Sequence, residues 1–306
     1  MKENSGFSLV NMALVGQSPA IDESVMNKYI GDVARLYSAD AQEVDFAQGE
    51  KIKNQVNSKI KKFTHGLIPT VLDEAPGSDT VFILLNAIYF RQQWLIPFDP
   101  DDTVTGTFYN NGNTDKGVQT PFMQRSSGMF KGVDLTIGDQ AVQTLEMKYN
   151  DKKTTMTILL PNERDGLQKI LSSPTLDSDL LTALKDINDA NDRLKKTNVL
   201  LPKFKFDSNY KLRQILTDMG LGHLFNVGAD LTGVGGDASV HLSAVNQKAF
   251  INVDEKGTEA AGISTVFGVS RSLSPVRQFT ADHPFLFLIR DMETGLVFFI
   301  GKVEKF

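Results

Sequence analysis

The sequence predicts an α+β fold built on a large, mostly antiparallel sheet system, and three observations carry that prediction. Two amphipathic helical stripes lie in the first quarter. They are followed by a ten-residue apolar run rich in β-branched and aromatic residues. In the C-terminal half, strand-like segments outnumber helical ones and do not alternate with them regularly, which is the pattern of an α+β domain rather than a doubly wound one.

The elements follow in order. From Ile21 to Leu36 a helical period places Ile21, Val25, Tyr29, Val33 and Leu36 on one stripe, with Asp22 and Glu23 in the first turn where they suit the helix dipole. A second helix reads from Gly49 to His65, with Ile52, Val56, Ile60 and Phe63 recurring at helical spacing and Gly66 as a stop signal. The run Val81–Phe90 has a single polar member, Asn86, and reads as a strand buried on both faces. Further strands are expected at Thr154–Leu160, Val199–Phe206, His241–Asp254, Pro284–Arg290 and Leu296–Val303. Short helices are expected at Gly166–Ser172 and Leu176–Ile187, with another from Asn209 to Met219 that stops at Gly220.

Composition sets the outer bounds. The 306 residues suffice for a sizeable core, and 23% charged with 41% hydrophobic residues is ordinary for a globular chain. A net charge of −5 predicts neither a nucleic-acid footprint nor a basic membrane patch. With no cysteine there is no disulfide scaffold, thiolate metal site or cysteine nucleophile. No run approaches the roughly 18 apolar residues of a membrane span. Residues 1–16 lack the basic and apolar regions of a signal peptide.

One segment breaks the pattern. Residues 255–283 follow a strong strand and precede another, yet they are rich in small residues, then polar, and carry Arg271 and Pro275. Loops of that length in compact domains are usually functional or disordered. Read as an extended chain, Thr258, Ala260, Gly262, Ser264 and Val266 share one slim face, and Glu259, Ala261, Ile263, Thr265 and Phe267 share the other. A loop with one slim face has the shape to become a strand inside a sheet.

At these residues the chain resembles the serpin family. Glu255-Lys-Gly-Thr-Glu-Ala-Ala-Gly262 resembles the family's hinge. Asn86-Ala-Ile-Tyr-Phe with Trp94 and Phe98 resembles its central strand, and Val56-Asn-Ser-Lys-Ile with Thr64-His-Gly resembles the helix over that sheet. Leu201-Pro-Lys-Phe-Lys, Met219-Gly-Leu, Ala229-Asp-Leu-Thr-Gly, Asp282-His-Pro-Phe and Gly301-Lys-Val follow in family order, so the resemblance covers nearly all of the chain.

The resemblance implies a single serpin domain over 1–306, with hinge and reactive-centre loop at 255–283. It implies a suicide-substrate inhibitor of trypsin-like, Arg-specific serine proteases, not an enzyme. The protease would form a covalent acyl complex while the cut loop enters the large sheet. Counted from Glu255 as the family counts, the reactive bond is Arg271–Ser272, and Arg271-Ser-Leu-Ser-Pro is similar to the antithrombin type. Hinge residues are Glu255, Gly257, Thr258, Glu259, Ala260, Ala261 and Gly262. Asn86, Trp94 and Gln247 fall where the sheet opens. By the same resemblance the chain starts beyond the family's N-terminal helices, and it is expected to be extracellular and monomeric.

There are departures. Lys59 replaces a usual Trp and Gln92 a usual Gly. Gln247 replaces a His that bonds to Asn86, a bond that Gln can still make. Helix 21–36 carries only Lys28 and Arg35 as basic residues, so heparin activation is not supported. No cofactor or metal is expected: the histidines His65, His223, His241 and His283 show no HExxH spacing, and no GxSxG elbow occurs. The competing reading is a truncated or non-inhibitory serpin that acts only as a protease substrate or binding protein.

Overall fold

The computed structural model describes residues 6–17, 21–189, 194–236, 240–258 and 276–306. In chain order the strands are β1 (Phe7–Gly16), β2 (Asp40–Val44), β3 (Phe82–Phe90), β4 (Gln92–Gln93), β5 (Val104–Tyr109), β6 (Gly117–Phe130), β7 (Asp134–Ile137) and β8 (Gln140–Lys148). They continue with β9 (Thr154–Pro161), β10 (Lys195–Pro202), β11 (Phe204–Lys211), β12 (Ala244–Asp254), β13 (Gly257–Thr258), β14 (Arg277–Thr280), β15 (Phe285–Asp291) and β16 (Val297–Val303). The α-helices are α1 (Glu23–Tyr37), α2 (Gly49–Phe63), α3 (Gly166–Leu171), α4 (Leu176–Asp189) and the short α5 (Arg213–Leu216). Among the described residues no helix is long and apolar enough to cross a membrane. The chain forms two compact units, residues 1–91 with 205–251 and residues 92–204 with 252–306.

In the first unit β1 runs parallel to β2 and antiparallel to β3, and β3 runs parallel to β12. Because side chains alternate along a strand, β3 serves two cores. Ile83, Leu85, Ala87 and Tyr89 join Val10, Met12, Leu14 and Phe250 under Ile52, Val56 and Ile60 of α2. Phe82 and Leu84 turn the other way, to Ala13, Val15, Met26 and Phe225. That double duty is why the run contains almost nothing polar.

Helix α2 follows its predicted stripe through Ile60, although Phe63 is exposed. It ends where Gly66, at φ +89°, donates its N–H to Lys61 O at 2.7 Å. Lys59 forms an ion pair with Asp40. Asp22 caps α1 by accepting from the Val25 N–H at 3.0 Å. The buried stripe of α1 is rotated from the expected one: Met26 is its deepest residue, joined by Tyr29, Ile30 and Val33, while Val25 and Leu36 are exposed. Apolar residues occur in adjacent pairs here, so two stripes fit the sequence equally well and tertiary packing selects one.

The second unit holds two sheets. A five-stranded one, in the order β16-β15-β9-β8-β7, is antiparallel throughout. All eight residues of β9 are buried, and α3 and α4 cover the sheet with Leu167, Ile170, Ala183 and Ile187. The four-stranded sheet β14-β10-β6-β5 has one parallel pair, β10 with β14.

Two expected elements differ. The single strand at Val199–Phe206 is two strands divided at Lys203: β10 pairs with β6 up to the Lys203 N–H, which reaches Pro121 O at 2.9 Å, and β11 pairs with β12. The helix expected from Asn209 starts at Arg213, since Asn209–Lys211 finish β11 and the Leu212 N–H is held by Val245 O at 2.8 Å. That helix widens into a π turn at Thr217–Leu221, where Gly220 has φ +90°. Strands β1, β2, β4–β8, β13 and β14 have no counterpart among the expected elements.

Asn57 ties α2 to the chain beneath it. Its side-chain amide donates to Leu72 O at 2.9 Å, and its Oδ1 accepts from the N–H groups of Val71 at 2.9 Å and Leu72 at 3.0 Å. Asn57→Ala strands three buried backbone groups and should cost about 1–3 kcal/mol, read as a lower urea midpoint. An unchanged midpoint would show that water replaces the amide.

Candidate functional site

The predicted hinge begins in a tight turn of the second unit. β12 ends at Asp254, Glu255 and Lys256 form the turn, and Gly257–Thr258 run back as β13. Val253 faces Thr258 and Asp254 faces Gly257. On its other edge β13 pairs with β4, Gly257 opposite Gln93 and Thr258 opposite Gln92. Gly257 and Thr258, expected as hinge residues, therefore form a strand bonded on both sides.

The turn is fixed by its own chemistry. Asp254 Oδ1 accepts from the Lys256 N–H at 2.9 Å, which is the usual Asx way of closing a turn. Gly257 has φ +144°, and a Cβ there would stand 2.3 Å from Gln92 O and 2.7 Å from the Gln93 Cα. Only glycine fits. Outside the turn, the N–H groups of Phe98 and Trp94 bind the carbonyls of Glu255 at 2.8 Å and Lys256 at 3.0 Å.

Glu255 is buried, with one carboxylate oxygen taking the Thr103 hydroxyl at 2.7 Å and the other facing Lys203 Nζ at 2.9 Å. Burial alone would push this carboxyl up. The Thr103 and Lys203 hydrogen bonds outweigh it and hold the group below the ordinary carboxylate range. Thr258 is fully buried, and its hydroxyl meets the Tyr149 hydroxyl at 2.9 Å. Burial drives the Tyr149 phenol far upward, so it is a neutral partner. Tyr149 stacks on Trp94 with ring centroids 4.5 Å apart, and the Trp94 indole N–H donates to Asp254 O at 2.9 Å.

In the first unit, Asn86 lies on one rung with Asn11 of β1 and Gln247 of β12. Asn86 donates to Asn11 Oδ1 at 2.7 Å and accepts from Gln247 Nε2 at 3.1 Å. The Gln that replaces a His therefore makes its bond. The structure thus gathers Asn86 with Gln247, and Trp94 with Glu255, Gly257 and Thr258. Glu259, Ala260, Ala261, Gly262, Arg271 and Ser272 lie outside the described residues.

Sequence reasoning assigned no role to Tyr149, Thr103 or Lys203. Lys203 sits inside a quoted motif, but nothing in its spacing points to Glu255. Among the described residues no group of three or more acidic or histidine side chains is placed to hold a metal. His283 is buried between Asp282 Oδ1 and Pro161 O, each at 2.7 Å, in a structural role.

A family model described as Serpin (serine protease inhibitor) matches residues 3–306. The chain belongs to the serpin family. Among its serpin relatives, Iripin-3 of Ixodes ricinus is 37% identical over 284 residues, 92% of this chain and 69% of that protein. Serpin B3 of Homo sapiens is 35% identical over 284 residues, 92% of this chain and 70% of that one. The crystal structure of Serpin48 from the insect Tenebrio molitor superposes with a TM-score of 0.80 at 28% identity, covering 98% of this chain and 76% of that one. Membership establishes the serpin fold, with its several sheets and few helices, and supports protease inhibition in general.

Because the Glu255 carboxyl is held below its ordinary value, what its pairing adds to stability is present above about pH 4. It is lost as pH falls through the lowered folded value. Glu255→Gln should melt lower than the unaltered chain at pH 7, and the gap should close at acid pH. A gap independent of pH would show that charge at Glu255 is not what holds the turn.

Proposed function

We propose that this serpin inhibits trypsin-like serine proteases that cut after arginine, through suicide cleavage at Arg271–Ser272. The protease acylates on Arg271, and the freed loop enters the sheet as a strand before the acyl bond is hydrolysed. The observation that carries this reading is β13. Its residues Gly257 and Thr258 are already strand, bonded on both edges, at the point from which the loop departs. Ala260 and Gly262 continue the slim face that Thr258 begins.

Insertion requires β3 and β12 to part. They are paired from Ile83 opposite Ala244 to Tyr89 opposite Phe250, with the Asn86–Gln247 bond between them. A new strand between them replaces the lost ladder with two. About ten added bonds at roughly 0.5–1.5 kcal/mol each are worth on the order of 10 kcal/mol, comparable with the stability of a domain. That exceeds the few kcal/mol supplied by an oxyanion hole, so a tethered protease can be distorted.

Arg271 suits an acidic specificity pocket. An arginine bait fits extracellular proteases best, and export of the chain is part of this reading. The mechanism needs no cofactor and no second copy. Nothing in helix α1, with Lys28 and Arg35 alone, supports activation by heparin.

The test is a titration with trypsin read on denaturing gels. The unaltered chain should give a stable covalent complex, and Arg271→Ala should abolish it without changing the melting point. Complex formation by that variant would move the reactive bond elsewhere. Ala260→Arg, which places an unpaired charge on the slim face, should turn the inhibitor into a substrate cut cleanly after Arg271. Full inhibition by it would exclude strand insertion.

A further inference from the structure

The second unit contains a cavity of about 200 Å³ between the residues that follow β4, the end of β6 and the end of β8. Its apolar wall includes Trp94, Ile96, Phe130 and Met147, and its charged wall includes Arg125 and Lys131. Cavities of this order hold one aromatic ring or a medium acyl chain.

Arg125 makes the cavity selective. Its Nη2 donates to the Ile96 carbonyl at 3.0 Å and to that of Pro97. The guanidinium carbon lies 4.8 Å from the centre of the Phe98 ring and 5.8 Å from that of Phe130. Among the described residues no carboxylate is within salt-bridge distance of it, in contrast to Glu146, which is paired with both Lys131 and Arg290. Burial lowers the Arg125 pKa, which is the sign of a cation whose desolvation is not offset by an anion. With Lys131 and Lys148 also on the wall against Glu146 alone, the lining favours negative charge.

We propose that this cavity binds a small apolar carboxylate, its acid group on Arg125 and its hydrocarbon part against Trp94, Phe130 and Met147. A guanidinium binds carboxylate through charge-assisted, two-point hydrogen bonds, and the aromatic and thioether wall receives an acyl chain or an aryl ring. A neutral ligand of the same shape leaves the cation uncompensated, and an amine is repelled.

Trp94 is the chain's single tryptophan, so binding can be read in its fluorescence. The probes are 8-bromooctanoate and 3-(4-bromophenyl)propionate, whose bromine quenches an indole on contact, each compared with its amide on the unaltered full chain. Both or one of the acids should quench saturably, and whichever binds tells acyl chain from aryl ring. Each amide should bind roughly tenfold or more weakly. Arg125→Met should weaken the acid to the level of its amide. Quenching linear in concentration for both acids would overturn the proposal, as would amides that bind as tightly as their acids. Because Arg125 also holds the Ile96 and Pro97 carbonyls, the comparison of acid with amide on the unaltered protein decides the matter even if that variant fails to fold.

Discussion

The turn between β12 and β13 is held from every side that a turn can be held. Its first carbonyl accepts from the Trp94 indole, its next two from the N–H groups of Phe98 and Trp94, and its glutamate is shared by a hydroxyl and an ammonium. Gly257 then packs so closely on Gln92 and Gln93 that no side chain fits. The backbone is thus fixed on both edges as far as Thr258.

The amide rung formed by Asn11, Asn86 and Gln247 is the complementary constraint in the first unit. These are half-buried polar groups in a sheet otherwise lined with Ile, Leu, Val and Phe. Asn86 donates to Asn11 and accepts from Gln247, so parting β3 from β12 costs the second bond and leaves the first in place. The rung therefore places one side-chain hydrogen bond across each edge of β3.

Much of this was legible in the sequence, for reasons that differ by residue. Val81–Phe90 announces itself because both of its faces are buried, and Ile52, Val56 and Ile60 repeat at a spacing that only a helix uses. Gly257 and Thr258 fall in the segment that resembles the hinge, and Gln247, expected to keep a bond to Asn86, donates to it. Helix α1 misleads because Val25 and Met26, and Tyr29 and Ile30, are apolar neighbours that define two stripes. Asn209–Lys211 look helical by composition but are kept extended by partners distant in sequence. The Tyr149–Thr258 and Lys203–Glu255 contacts join residues more than fifty positions apart, and no local pattern encodes them.

The pairing of β3 with β12 has one more consequence, for the order in which the chain is made. β1 and β3 can pair as soon as residue 90 has left the ribosome, but the strand that completes β3 ends beyond residue 250. For all of that interval one edge of a nine-residue apolar strand has no partner. At synthesis rates of roughly 5–20 residues per second, the edge stays open for many seconds, and open apolar edges recruit other strands. Translation speed and chaperone supply thus become determinants of how much native protein is obtained.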